Sequence, residues 1–246
     1  MDPRNCVALI TGGARIGQAV AKSLVDRGAH LALTYRTSRK AVESTAQYAR
    51  SRGRKVLLLK TDLTIPRSFA DIMVRIKRVF GRLDILINMA SVYEETPFHS
   101  LDLKKWERNM DANLKHAYGL AIKAASLMKR TGGGRMINLA DWTASSGRPR
   151  YKAFLPYYVA KSGMIGLTEA LALELAPTIL VNAIAPGPIL PPAKGMKRHE
   201  AQEVMTATPL KRWGGAGEIA KAVLFLIESD FVTGECLRVD GGRHLF

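Results

Sequence analysis

The sequence predicts an α/β fold, a mostly parallel, seven-stranded sheet doubly wound with helices on both faces, as one domain over residues 1–246. Three observations predict it. Seven short β-rich apolar runs alternate with stretches of helical period. Each intervening stretch is long enough for a crossover helix, and right-handed crossovers between parallel strands put helices on both faces of one sheet. A glycine-rich turn, Thr11-Gly12-Gly13-Ala14-Arg15-Ile16-Gly17, follows the first run directly, at the strand end where such sheets open a ligand crevice.

The chain has 246 residues, 47% of them apolar, enough for one fairly large core. Charge interrupts every apolar stretch before membrane-spanning length, so no transmembrane helix is expected. No signal-peptide pattern precedes the first run, and a cytoplasmic location is the expectation. Cys6 and Cys236 read as small buried hydrophobes, not as a disulfide framework. The histidines lack metal-ligand spacing, so no metal is expected. A formal charge of +16 is scattered along the whole chain without a nucleic-acid motif. It reads as a basic solvated surface that also attracts an anionic small-molecule substrate, with neither nucleic acid nor membrane as partner.

Taken in order, the first run, residues 6–10, passes through the glycine turn into the helical pattern Ala19, Val20, Leu24, Val25. Glycines let backbone approach a phosphate without a Cβ clash, and the free N–H groups and dipole at a helix start favour an anion. The second run, residues 31–35, ends in Thr34-Tyr35-Arg36-Thr37-Ser38-Arg39 and lacks the acidic residue that would accept from the ribose of NAD. A guanidinium at Arg36, helped by Arg15 and the hydroxyls, suits a 2′-phosphate and points to NADP(H); otherwise Arg36 and Arg39 simply begin an exposed helix. The third run, residues 56–59, leads to Thr61-Asp62-Leu63, where Asp62 accepts from an adenine amino group or caps the next helix. After the fourth, residues 85–87, stands Asn88-Met89-Ala90-Ser91, and Asn113 falls in a long helical segment. The fifth, residues 135–139, leads through Ala140 to Asp141. Tyr157 and Lys161 follow, four residues apart on one helix face, where the ammonium would lower the phenol's pKa and make Tyr157 a general acid. The sixth run, residues 179–184, opens a loop-rich stretch, residues 186–211, whose Lys194, Lys197, Arg198 and His199 form a candidate cationic lid. Residues 236–239 make the seventh.

Together these residues resemble the short-chain dehydrogenase/reductase family over nearly the whole chain. The likeness continues through Asn182-Ala183-Ile184-Ala185-Pro186-Gly187-Pro188-Ile189, Val232-Thr233-Gly234 and Val239-Asp240-Gly241-Gly242. It implies a Rossmann-like sheet, a homotetramer, hydride transfer from nicotinamide C4 and protonation by Tyr157. It further implies ribose binding by Lys161 and a water relay at Asn113. The dinucleotide NADP(H) would then lie along Gly12, Arg15, Ile16 and Gly17, the Tyr35-Arg36-Thr37 corner, Asp62 and Leu63. It would continue past Asn88, Ala90 and Ser91 to Tyr157 and Lys161, with Pro186, Gly187 and Ile189 opposite. Within the family the local likeness is to pteridine reductases and their bacterial relatives. Those carry an aspartate in place of the usual catalytic serine, matching Asp141, and a serine with an aromatic two residues on, matching Ser91 and Tyr93. The implied substrate is a pterin ring held between the nicotinamide and Tyr93, with Ser91, Asp141 and Tyr157 around it.

Two departures stand out. The glycine turn is one residue shorter than the family pattern, so either Arg15 or the usual third-glycine slot is displaced. The segment from Asp141 to Tyr157 is roughly three residues longer, with residues 143–147 as the insertion, because loops absorb insertions. Counting back from Tyr157 reaches Ala144, but strand packing fixes Asp141 instead, and Ser145 or Ser146 is the lesser alternative. The leading expectation is an NADPH-dependent pterin reductase, against a carbonyl reductase of 3-oxoacyl thioesters or a catalytically silent NADP(H)-binding protein. Asp141 favours the first, since a carboxylate repels the oxyanion that develops on a reduced carbonyl. Arg36→Leu is expected to weaken NADPH binding by about 1.5–3 kcal/mol, a lost charge-assisted bond, while NADH binding stays unchanged. Titration of both cofactors by fluorescence checks this, and equal affinity of the native protein for the two would overturn it.

Overall fold

In the computed structural model, which describes residues 1–192 and 195–245, all seven strands join one parallel sheet in the order β3-β2-β1-β4-β5-β6-β7. The strands are β1 (Val7–Ile10), β2 (His30–Tyr35), β3 (Val56–Lys60), β4 (Ile85–Asn88), β5 (Gly134–Leu139), β6 (Ile179–Pro186) and β7 (Cys236–Val239). Every apolar run therefore forms a strand, with ends shifted by at most two residues. Such runs are continuous in sequence because side chains alternate between two buried faces. In β1, Ala8 and Ile10 join the core on one face while Val7 and Leu9 join the core on the other.

Helices α1 (Ile16–Asp26), α2 (Arg39–Ser51) and α9 (Ala216–Glu228) cover the first face, through Val20, Leu24, Val42, Ile219 and Val223. Helices α3 (Arg67–Phe80), α5 (His116–Arg130) and α7 (Leu155–Leu175) cover the second, through Phe69, Ile76, Leu120 and Leu171. The shorter α4 (Leu103–Met110), α6 (Trp142–Ser145) and α8 (Arg198–Thr206) lie towards the carboxyl ends of the strands. No helix among the described residues is long and apolar enough to cross a membrane. Cys6 is buried as expected, whereas Cys236 is only partly so, and both are free thiols.

The long helix expected around Asn113 is interrupted. Residues Asp111–Lys115 form one wide π turn between α4 and α5, a feature that often marks functional sites. Asp62 does not cap a helix, because α3 begins only at Arg67. Its carboxylate instead accepts from the Thr64 N–H at 3.0 Å and the Thr64 hydroxyl at 2.8 Å, closing a local turn.

Gly12 adopts φ +72°, which brings its backbone against Met89 and Ala90 of the neighbouring β4 loop. A Cβ on Gly17 would sit 2.3 Å from the Gly12 carbonyl oxygen. Gly17 thus keeps the close-packing glycine slot, and the shortening falls on Arg15, which is forced to φ 52°. Gly17→Ala is expected to lower stability by about 1–3 kcal/mol, the usual cost of overpacking. Thermal unfolding with and without dinucleotide checks this, because the same distortion should remove the stabilisation that bound cofactor confers.

Candidate active site

A cleft of about 590 Å³ opens at the carboxyl ends of the strands, beside the β1–β4 junction where the strand order reverses. Gly12, Arg15, Ile16 and Gly17 wall one end, and Pro186, Gly187 and Ile189 another. Ser91, Tyr93, Asp141, Tyr157 and Lys161 meet inside it. Five expected chemical side chains, spread over 70 residues of sequence, are therefore gathered into one cavity.

Strand β5 and helix α7 do most of the positioning. The carbonyl of Leu139, the last residue of β5, accepts from Lys161 Nζ at 2.6 Å. Two residues on, Asp141 Oδ2 accepts from the Tyr157 hydroxyl at 3.1 Å. Its other oxygen is held by the Thr143 N–H at 2.8 Å and the Thr143 hydroxyl at 2.6 Å, which fixes the carboxylate plane. Ser145 accepts from Arg238 and Ser146 donates to the Thr143 carbonyl, so neither occupies the position beside Tyr157. Ala144 is buried in α6. Asp141, and neither serine, lies beside the Tyr157 hydroxyl.

Electrostatics reverse one expectation. Burial pushes the Tyr157 phenol well above its ordinary pKa of 10.0, and the Asp141 carboxylate beside it, through charge and the hydrogen bond, pushes the same way. Lys161 contributes no lowering here; its Nζ lies 5.8 Å from the centre of the Tyr157 ring, turned to Leu139. The pair next to the phenol is carboxylate, not ammonium, so Tyr157 is kept as a neutral donor. Lys161 itself, 3% exposed, is lowered to about 8 by burial, with Asp141 opposing.

Other expected residues lie elsewhere or act differently. The Asn88 side chain is buried between strands, donating to Asn138 at 2.9 Å, and Asn138 donates to Thr168 of α7 at 2.9 Å. The N–H of Ala90 is bound by the Thr11 hydroxyl at 3.0 Å. Asn113 accepts from the Ser91 hydroxyl at 2.8 Å and the Val92 N–H at 2.9 Å, pinning the loop after β4 from its wide turn. Tyr35, Arg36, Thr37, Asp62 and Leu63 lie beyond the cleft at the β2–β3 corner, where Arg36 pairs with Asp62 at 3.5 Å. Of the expected lid cations, Lys194 lies outside the described residues. Lys197, Arg198 and His199 start α8 without lining the cleft; Met196 and Val204 line it instead, because the segment turns its apolar side inward.

Around the expected Tyr93, residues not foreseen complete the walls. Tyr93 stacks on Phe154 at 4.5 Å and meets Tyr157 edge-on at 4.9 Å, while Tyr151, Trp142 and Trp213 add further aromatic surface. Arg150 lines the cleft with its guanidinium 5.9 Å from the Trp142 ring and has no acidic partner among the described residues. The crowding of aromatics between residues 142 and 158 was the available signal. Arg15 reaches across to the Pro191 carbonyl, tying the glycine turn to the segment after β6.

A dinucleotide fits the turn on this structure's own geometry. No hydrogen-bond acceptor engages the N–H groups of Gly12, Gly13, Ala14 or Arg15 among the described residues, and no side chain caps α1. Free amides at a helix start are a ready anion site.

Comparison with known proteins agrees. A family model described as enoyl-(acyl carrier protein) reductase matches residues 13–244. The chain is 34% identical to the 3-oxoacyl-[acyl-carrier-protein] reductase FabG of Haemophilus influenzae, over 97% of this chain and 98% of that one. Among solved structures, the short-chain dehydrogenase/reductase from Serratia marcescens superposes with a TM-score of 0.92 at 30% identity, covering 99% of this chain and 100% of that one. FolM alternative dihydrofolate reductase 1 from Brucella canis, complexed with NADP, superposes with a TM-score of 0.90 at 29% identity, covering 100% and 97%. Fold and site define a nicotinamide-dependent oxidoreductase. The chain belongs to the short-chain dehydrogenase/reductase family.

Lys161 gives a stability test with a definite sign. It titrates near 8 in the fold against 10.5 ordinarily, so between those values the unfolded chain holds more protons and stability rises with pH. Lys161→Met is expected to be about 2 kcal/mol more stable than the native protein at pH 7, after allowing for the lost bond to Leu139. The advantage should shrink above pH 8 and vanish by pH 10.5, as followed by chemical denaturation across that range.

Proposed function

We propose that the enzyme is an NADPH-dependent reductase of a pterin-type ring, with Tyr157 as proton donor. The observation that carries this reading is the Tyr157 hydroxyl donating to Asp141 at 3.1 Å on the floor of an aromatic cleft. NADPH, when bound, supplies the hydride. Gly12 and the neighbouring amides would hold its pyrophosphate, Lys161 its ribose, and Arg36 its 2′-phosphate.

The protein's own part is proton management and orientation. Thr143 holds one Asp141 oxygen, leaving the other to accept from Tyr157 or from a ring or exocyclic N–H of the substrate. Tyr157, kept neutral by burial and Asp141, can release its proton to a basic ring nitrogen. A serine beside it could not share that proton. Tyr93, backed by Phe154, offers an aromatic face worth about 0.5–1.5 kcal/mol to a stacked ring. The unpaired guanidinium of Arg150, not the α8 cations, is the group suited to an anionic substituent. The likeness to FolM supports this reading, while 30–34% identity to several FabG proteins favours a second one, reduction of 3-oxoacyl thioesters. The expected homotetramer is in keeping with Tyr118 and Ile122, exposed one helical turn apart on α5.

NADPH oxidation should proceed with dihydropterins and not with 3-oxoacyl thioesters, and Asp141→Ser should cut kcat/KM for the pterin by about 100-fold, the scale of an acid–base partner. A native enzyme that reduces only thioesters, or an Asp141→Ser variant with intact pterin turnover, would remove the assignment and leave the family.

A further inference from the structure

The turn that follows β7 packs against the cleft from outside. Asp240 is buried there, and its carboxylate accepts from the N–H groups of Gly242 at 3.0 Å and His244 at 2.9 Å, which closes residues 240–244 on themselves. This turn meets the loop-rich stretch 186–211 near both of its ends. At the start of the stretch, a Cβ on Gly187 would come 2.5 Å from the Asp240 Cβ, and the Gly187 N–H donates to the Val239 carbonyl at 3.0 Å. Near its end, the Leu210 N–H donates to the Gly241 carbonyl at 3.2 Å, and a Cβ on Gly242 would come 2.9 Å from the Pro209 ring. Between those anchors the stretch carries Met196 and Val204 into the cleft.

Arg243 extends the contact to a second wall. Its Nη1 donates to the carbonyl of Ala207, the residue that caps the carboxyl end of α8. The same guanidinium lies over the Trp142 ring, 5.5 Å from its centre. Its Nε–H is buried without an acceptor among the described residues, and the negative face of the indole offsets part of that burial. Trp142 is itself buried, stands next to Asp141 and lines the cleft, whereas Arg243 does not. Arg150 lies over the same ring at 5.9 Å and does line the cleft. One indole is thus held by Arg243 from outside the cleft and bears Arg150 within it.

We propose that Arg243 is a positioning residue for the cleft: by bridging the end of α8 to Trp142 it fixes how far apart those two walls stand, and so how tightly substrate is held. A guanidinium is planar and presents its donors in fixed directions, so engaging the carbonyl and the ring together sets one separation between them. The residue acts from behind the walls, and its role does not depend on which substrate is reduced.

The experiment compares native protein with Arg243→Met and Arg243→Lys, first by amide hydrogen exchange, which needs no turnover. Arg243→Met removes both the fork and the charge, and should speed exchange of the α8 amides about tenfold while leaving those of β5 and α7 unchanged. Kinetics follow with NADPH and whichever of a dihydropterin and a 3-oxoacyl thioester the native protein reduces; should it reduce neither, the exchange comparison decides alone. KM for that substrate should rise about tenfold with kcat kept within about twofold, the mark of lost uniform binding. Arg243→Lys, still a cation able to reach Ala207, should restore most of both. In a Trp142→Phe background, where the ring holds a cation less well, Arg243→Met should change both less. Exchange of α8 that stays native, that quickens equally in β5 and α7, or that quickens with no change in KM overturns the proposal. Should Arg243→Met not fold, Arg243→Gln carries the same comparison and should also quicken α8 exchange, because it keeps an N–H for Ala207 and loses the charge over the ring.

Discussion

A lysine ammonium with 3% of its surface exposed has to be compensated from inside the protein, and the layout of the site follows from how that is done. Its hydrogen bond goes to the last carbonyl of β5, so the same strand end that satisfies the cation also presents Asp141 two residues later. One strand thereby sets both the cation and the carboxylate, and α7 sets Lys161 and Tyr157 on one face. The two elements need only keep their mutual height for all four groups to stay in register. Burying a charge is costly unless it is paired or hydrogen-bonded, which is why Lys161 stands on a packed helix against a strand end.

The chemistry separates into a rigid floor and adaptable walls. Floor residues come from β5, α7 and the loop that Asn113 clamps from the wide turn. Wall residues come from the aromatic stretch between α6 and α7 and from the segment after β6, linked to the glycine turn by Arg15. The floor holds the proton-handling groups, Asp141, Tyr157 and Lys161. Tyr93, Phe154, Tyr151 and Arg150 in the walls shape and charge the space above it.

Much of this was legible in sequence because its causes are local. Continuous apolar runs buried on both faces announced each strand, and strand register placed Asp141 when a count from Tyr157 would have missed it. What was not legible depends on which groups meet in space. Helical spacing placed Lys161 beside Tyr157 but could not show that the ammonium turns to Leu139 while Asp141 takes the phenol. The cations near residue 198 read as a lid from charge alone, whereas packing brings Met196 and Val204 inward and leaves Arg150 in the cleft with no acidic partner among the described residues. The wide turn at Asn113 has no sequence signature of its own, since a π turn and an α turn bury nearly the same side chains.

The chain of amides from Asn88 through Asn138 to Thr168 ties β4, β5 and α7 together below the cleft. A slip of one residue in any of the three would strand at least one amide in the interior, so the ladder acts as a vernier that fixes the height of each element against the next. Above it, α6 is tied to the edge of the sheet by Arg238 of β7, which donates to the Ser145 hydroxyl and carbonyl. The stretch before Tyr157 lays aromatic and cationic surface over that ladder, and through Thr143 it also holds the Asp141 carboxylate. The height of the floor is thus set from below by buried amides, while the rim is attached to it at a few named points only.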